Sequence, residues 1–533
     1  MVHDNILVVL SLLFAVILLQ ALSKRLGVSF PILLVLGGLG ISLIPGLPVV
    51  RMDPDLVLLL ILPPLLYEAA WYTSWKDFWH LRIAIFLQAF GLVLFTSTAV
   101  AVAAHAAGFP WAVGFLLGGI ISPPDAVAAS SVLKGLAVPK NAVTLLEGES
   151  LVNDASSLVV FRFALAAILT GQFSLGTAAG QFLVVAIGGI VIGLAIALLM
   201  FALHRKLKAS PSTDTTLTLM SPYLMYMVAE RFHTSGVLAV VAGGLYLSAR
   251  SHEFLQGSSG VEAKGVWSTT TFLLNGIVFV MIGLQLPAVA AVLGPGELRG
   301  AVLYGLAASL LAVVVRIVWV FSAAYARQVV PGMKPHKRVP SWKFVFLVAW
   351  AGMRGVVSLA SALAIPLTLD DGSAFPHRPL LVVVTFVVIL FTLVVQGLSL
   401  PAIIRWLRFD SEGLGNHHEQ RHALAKRLAE VSLAHLRAHY TDVSMNNDRI
   451  AKLLEHYESA LHPHSVEGDN EHDAEANAHA KFNMFKKVVR ELAVLQREEV
   501  IRLRRAGIFD HEVTLAREHA LDLELARIEQ AAH

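Results

Sequence analysis

Eight consecutive residues, Glu147-Gly148-Glu149-Ser150-Leu151-Val152-Asn153-Asp154, bring three carboxylates, a hydroxyl and an amide into one short stretch. The adjoining run, Ala155 to Thr170, is nearly all apolar, with Arg162 the exception. The stretch therefore belongs to a helix of about Asn141 to Leu169 that lies in a membrane. Ionisable groups are costly at that depth and are kept where an ion or a proton passes. On a helix Ser150 and Asp154 share a face, with Glu147 one turn further back. This face is a candidate cation seat. The alternative leaves Glu147 and Glu149 in the cytoplasmic interface and only Asp154 buried.

Three other stretches carry polar chemistry within apolar surroundings. Gly118-Gly119-Ile120-Ile121-Ser122-Pro123-Pro124-Asp125 contains two consecutive prolines, which remove two backbone donors and disfavour helix in the residue before each. A break there exposes carbonyls to a cation and starts a new helix near Asp125. Asp125 then either serves the cation or caps the new helix, where the dipole favours a carboxylate in any case. Gly352-Met353-Arg354-Gly355 sets an arginine between glycines at membrane depth, and such an arginine needs a carboxylate partner. Arg316 needs one too, and Glu149 can serve either. Leu62-Pro63-Pro64-Leu65-Leu66-Tyr67-Glu68 places Glu68 toward the cytoplasmic third of its helix, as a ligand, a vestibule charge or an interfacial residue. Arg162 and the Glu230–Arg231 pair read as structural.

The elements that position these groups can be read from composition. The chain is 56% hydrophobic and 15% charged, with a mean hydropathy of +0.68, which marks an integral membrane protein. A formal charge of +3 is too small to point to nucleic acid. The absence of cysteine excludes disulfides, thiolate metal sites and cysteine nucleophiles. Apolar runs give about thirteen spans, near 5–23, 28–46, 54–72, 82–105, 110–132, 139–170, 175–203, 215–231, 235–249, 266–288, 298–326, 342–368 and 378–406. Asp4 before the first run, with Lys24 and Arg25 after it, sets the N-terminus outside. Alternate loops then collect most of the Lys and Arg, which puts the C-terminus in the cytoplasm. Paired interrupted helices, the fifth and twelfth, flank a spare seventh, which fits two inverted six-helix repeats joined by a linker helix. From residue 409 to 533 the composition turns polar, with helical spacing in Leu424, Leu428, Val431, Leu433 and Leu436, from Ala480 to Ile508 and from Thr514 to Ile528. Residues from His462 to Glu475 read as a linker. The histidines of this soluble helical tail are either pH sensors or simply solvated.

Taken together, Asn153-Asp154, Ser122-Pro-Pro-Asp125, Leu62-Pro-Pro-Leu-Leu-Tyr-Glu68 and Gly-Met-Arg354-Gly resemble the bacterial sodium/proton exchangers of the monovalent cation:proton antiporter-1 family, the NhaP type, over about residues 5–408. The resemblance implies an all-α polytopic fold of thirteen helices. Its core would span 82–170 and 298–406, its dimerisation part 5–72 and 215–288, with a linker helix at 175–203 and the fifth and twelfth spans crossing as unwound helices. It implies that Asp154 binds cation and proton alternately, that Asn153 organises the site, that Asp125 supports the crossing and that Ser150 and Glu68 contribute to the cation site. It implies a structural pair of Glu149 with Arg354, Arg316 being the alternative partner. Many relatives carry threonine where this chain has Pro124, which offers only its carbonyl oxygen. The implied protein is a homodimer in a bacterial plasma membrane (the inner membrane of a Gram-negative cell), serving pH homeostasis without a cofactor.

Burial disfavours the charged form of Asp154 and a nearby cation favours it, so one group holds either a cation or a proton. Alternating access turns that competition into exchange of Na+, or Li+, for H+. With Asn153 neutral, one charge moves each way and the exchange is electroneutral. The alternatives are K+/H+ exchange and, from another class, a cation channel. A membrane enzyme is disfavoured, because the spans hold no metal-ligand cluster or nucleophile–base pair.

Overall fold

The structure is a computed structural model that describes residues 2–44, 57–133, 136, 138–171, 175–207, 210–255, 258–291, 293–329, 340–369, 373–409, 417–440, 447–461 and 478–530. Helices overlie each apolar run, and their ends obey local chemistry. After α1 (Val2–Leu26) and α2 (Phe30–Ser42), a π-helical turn at Val57–Ile61 leads into α3 (Leu62–Tyr72), with Pro63 and Pro64 in its first turn, where the missing N–H groups cost little. Residues 54–56 of the expected third span lie outside the described residues. The next helix starts at Trp75 rather than 82, because Ser74 caps it through the Asp77 N–H. It runs as α4 (Trp75–Phe86), a π-helical segment Leu87–Leu92 and α5 (Val93–Ala106).

The Pro-Pro pair divides the fifth span into α6 (Trp111–Ile121) and α7 (Ala126–Leu133). Then come α8 (Lys140–Thr170), closed by Gly171 at φ 67°, α9 (Leu175–Leu207), α10 (Pro211–Arg231), α11 (Gly236–Arg250), α12 (Ser258–Ala290) and α13 (Pro295–Val329). The twelfth span is likewise divided, into α14 (Trp342–Trp350) and α15 (Val356–Leu363). Helix stops at Leu363 rather than continuing to 368, since Pro366 cannot extend it. Arg378 takes the freed carbonyls instead, donating to Leu363 O at 3.1 Å and Ile365 O at 2.7 Å. The last apolar run is α16 (Arg378–Phe391), a π-helical turn Thr392–Gln396 and α17 (Gly397–Leu407). Among the described residues, six helices are long and apolar enough to cross a membrane. The broken α6 packs on α5 and α8, and α13 packs on α16. Gly118 and Gly119 bring α6 against the backbone of Ser97 and of Phe161, which any side chain would prevent.

The chain divides into two units. One gathers Met1–Leu203, Leu217–Ala249 and Trp267–Leu414. The other gathers the tail, Gly415–His533, with two segments from between the spans, His204–Thr216 and Arg250–Val266, which composition alone does not join to it. Its helices are α18 (His417–His439), α19 (Asp448–Leu461), α20 (Ala478–Ala506) and α21 (His511–Gln530). Of these α19 is not among the expected helical stretches, although Ile450, Leu453, Leu454 and Tyr457 join an apolar cluster with Leu436, Val488 and Leu492. The linker expected at 462–475 lies outside the described residues. Within this unit Arg497 is buried, donating to Asp522 at 2.9 Å and to the carbonyls of His252 and Leu255 at 3.3 and 3.1 Å.

Candidate functional site

The two helix breaks meet. The N–H of Asp125 donates to Met353 O at 2.6 Å, and Arg354 Nε donates to Ile121 O at 3.0 Å, so each break satisfies a backbone group that the other leaves open. Arg354 also donates to Gly352 O, and its own N–H is taken by Thr392 Oγ1 at 3.1 Å. Asp125 Oδ1 accepts from the N–H groups of Val127 and Ala128 at 2.8 and 3.3 Å, capping α7. The backbone of Val356, which opens α15, also hydrogen-bonds to Asp125, so one carboxylate faces the positive ends of two half-helices.

A cavity of about 590 Å³ opens beside the crossing. Asp154, Ser150, Glu147, Glu68, Asp125 and Pro124 all line it. The two readings of Asp125 left open by the sequence therefore coincide in position: it caps a helix, and it faces the cavity. The lining residues come from α3, the first break and α8, and every donor among them is oxygen, the set that suits a hard cation. Asp154 is 6% exposed. Asn153 points elsewhere: it is fully buried, does not line the cavity, and neither amide atom has a hydrogen-bond partner among the described residues.

The ion pair corrects an expectation. Glu149 joins Arg316, not Arg354: Nη1 lies 2.5 Å from Oε1 and Nη2 2.9 Å from Oε2, with both side chains at 0% exposure. Position on the helix is the reason. Glu149 turns away from the Ser150–Asp154 face toward α13, while Arg354 is spent on the carbonyls of the two breaks. The glycines around Arg354 have separate uses, each a close approach. A Cβ at Gly352 would collide with the Arg316 guanidinium stem, and a Cβ at Gly355 with the Asp125 carboxylate. Arg162 pairs with Glu230 at 2.9 and 3.0 Å, and Glu230 also accepts the Gly236 N–H that opens α11, a structural use.

Sequence reasoning missed part of the lining. Ser268, Thr271 and Asn275 on α12 and Ser358 on α15 also face the cavity. The spacing of the first three, at i, i+3 and i+7, was a readable polar stripe on an apolar helix.

Comparison with known proteins gives a consistent picture. Residues 9–406 match the family model of the sodium/hydrogen exchanger, transmembrane. The chain is 33% identical over 527 residues to an "Uncharacterized Na(+)/H(+) exchanger" of Mycobacterium tuberculosis (strain ATCC 25618 / H37Rv), covering 98% of this chain and 95% of that one. It is 33% identical over 415 residues to the "Sodium, potassium, lithium and rubidium/H(+) antiporter" of Bacillus subtilis (strain 168), covering 75% of this chain and 61% of that one. The fold is similar to the sodium proton antiporter MjNhaP1 from Methanocaldococcus jannaschii at pH 8, with a TM-score of 0.58 and 18% identity over 75% of this chain and 99% of that one.

Proposed function

The chain belongs to the sodium/hydrogen exchanger family, and from that premise we propose that it carries Na+ against H+, one for one, with Asp154 as the group that binds them alternately. It is a membrane-embedded, multi-pass monovalent cation:proton antiporter and not an enzyme. The finer reading is carried by one observation: Asp154 lines a largely apolar cavity, shared with Ser150, Glu147, Glu68 and Asp125, beside the broken helix of residues 122–125. A carboxylate withdrawn from bulk water binds a cation or a proton in competition, since each neutralises the same charge. Asp125 has its charge set against two helix N-termini, so Asp154 is left to exchange. Ser150, Glu68 and the Pro124 carbonyl supply further oxygens, and Asn153 shapes α8 behind them. One exchanging acid implies one charge each way and an electroneutral cycle.

The same reading has the N-terminus outside and the tail in the cytoplasm, with two inverted repeats moving against dimerisation helices 5–72 and 215–288 in a homodimer. K+ is the second reading, supported by the name of the Bacillus subtilis relative, which covers four cations, and by the absence of a side-chain oxygen at Pro124. Proteoliposomes holding a pH dye, given Na+, Li+ or K+ in turn, test both. Cation-driven proton movement that ignores an imposed voltage is the expected result. Asp154→Asn should abolish it while leaving the helix content unchanged; an active variant would remove Asp154 from the carrier role.

A further inference from the structure

Two oxygens of residues that line the cavity have no hydrogen-bond partner among the described residues: Ser358 Oγ and Asn275 Oδ1. They come from two different elements, α15 and α12. A buried oxygen left unpaired carries its full desolvation cost, so native proteins rarely keep one without an occupant. Ser358 is the sharpest case. It is 1% exposed, and alanine would fill its place equally well without burying a hydroxyl.

We propose that Ser358 is a cation ligand that, with Asn275 on α12, fixes which monovalent cation the cavity takes. The two oxygens are neutral. Asp154 supplies the charge, and these two oxygens supply coordination at set positions, so that the cation which best spans those positions is preferred. The hydroxyl and the amide oxygen are hard donors that replace water of hydration, the role that Pro124 cannot fill with a side chain. A wall of apolar side chains at 275 and 358 would pass a proton to Asp154 as readily and discriminate among cations less. Ser268 and Thr271, two and one turns before Asn275, continue the same polar stripe along α12 and give the cation a wet approach to it.

This inference rests on the cavity being the transport site, and two readouts keep the claims apart. In proteoliposomes of the full chain, Ser358→Ala should raise the half-saturating Na+ concentration about tenfold, with the rate at saturating cation within about twofold of wild type and the preference among Na+, Li+ and K+ altered. Ser358→Thr, which keeps the hydroxyl, should restore the wild-type order. In detergent, the melting temperature of Ser358→Ala without alkali cations should equal or exceed that of the wild type, and its rise on adding Na+ should shrink. A hydroxyl that only ties the protein together, or holds a water, would instead lower the melting temperature by the same amount with and without cation, and that result overturns the proposal. So does an unchanged half-saturation and preference. Asn275→Leu gives the same reading if Ser358→Ala does not fold: an unaltered cation order refutes it. Failure of the wild type to exchange any cation would sink the transport reading, while the melting measurement still decides whether Ser358 binds one.

Discussion

Separating Glu149 from Arg316 is the perturbation whose size comes most directly from the geometry. The pair is bidentate at 2.5 and 2.9 Å with no exposure on either side chain. Arg316 has one further contact, Val348 O at 3.2 Å, and its Nε has no partner among the described residues. Two unit charges about 4 Å apart attract by about 4 kcal/mol at an effective dielectric near 20. Withdrawing them from water cancels much of that gain, so the pair contributes little relative to apolar residues of the same volume. Breaking it is another matter. Glu149→Gln or Arg316→Met leaves one buried charge unanswered, at about 3–5 kcal/mol each. The double variant Glu149→Gln/Arg316→Met removes both charges and should return to within about 2 kcal/mol of wild type. Denaturant titration of the purified full chain in detergent, with helix content as the signal, measures all four corners of the cycle. A double variant that loses the sum of the single losses would refute the reasoning, since the two residues would then act independently.

Gly355→Ala should abolish exchange, because its methyl displaces the carboxylate that caps α7 and faces α15; normal cation-driven proton movement in liposomes would count against that role of Asp125. In the tail unit, burial and the nearby Arg505, Arg504, Arg497 and Arg250 pull His252 down to about 4. The unfolded chain takes up that proton near pH 6.5 and the folded one resists it. Stability from this group is therefore present above about pH 6.5 and lost as the pH falls toward 4, by roughly 1–2 kcal/mol after solvent screening of the arginines. Glu518, pushed up by burial despite Arg504 and Arg497, works in the opposite sense and partly offsets the loss. Limited proteolysis of residues 478–530 in the full chain at pH 7 and pH 4.5 checks this. The wild type should show a larger acid-induced rise in cleavage than His252→Gln, and equal rises would remove His252 from the account.

Much of the site was legible because membrane depth makes polar residues conspicuous. Asp154, Asp125, Ser150 and Glu68 stood out against apolar flanks, and all of them line the cavity. The breaks at 122–125 and 351–355 could be read from Pro-Pro and from glycines on either side of an arginine, through which no regular helix was expected to pass unaltered. Composition also separated the tail from the apolar part near residue 409, since the change in charge density there is abrupt.

Pairing was decided only in three dimensions. Glu149 had two arginines within sequence reason, and the face it occupies on α8 turned it to Arg316, leaving Arg354 to the carbonyls of the two breaks. Asn153 adjoins Asp154 in the chain, yet the helix turns it away from the cavity, whereas Ser358 and Asn275 come from remote segments and both line it. Nor could the segments 204–216 and 250–266 be assigned to the tail from their composition, because carbonyls such as His252 O carry no sequence signature of what they accept. Sequence alone thus determined which groups are too polar for their surroundings, because each residue brings its own solvation cost. Which of those groups meet depends on helix rotation and chain crossing, and only the tertiary structure fixes these.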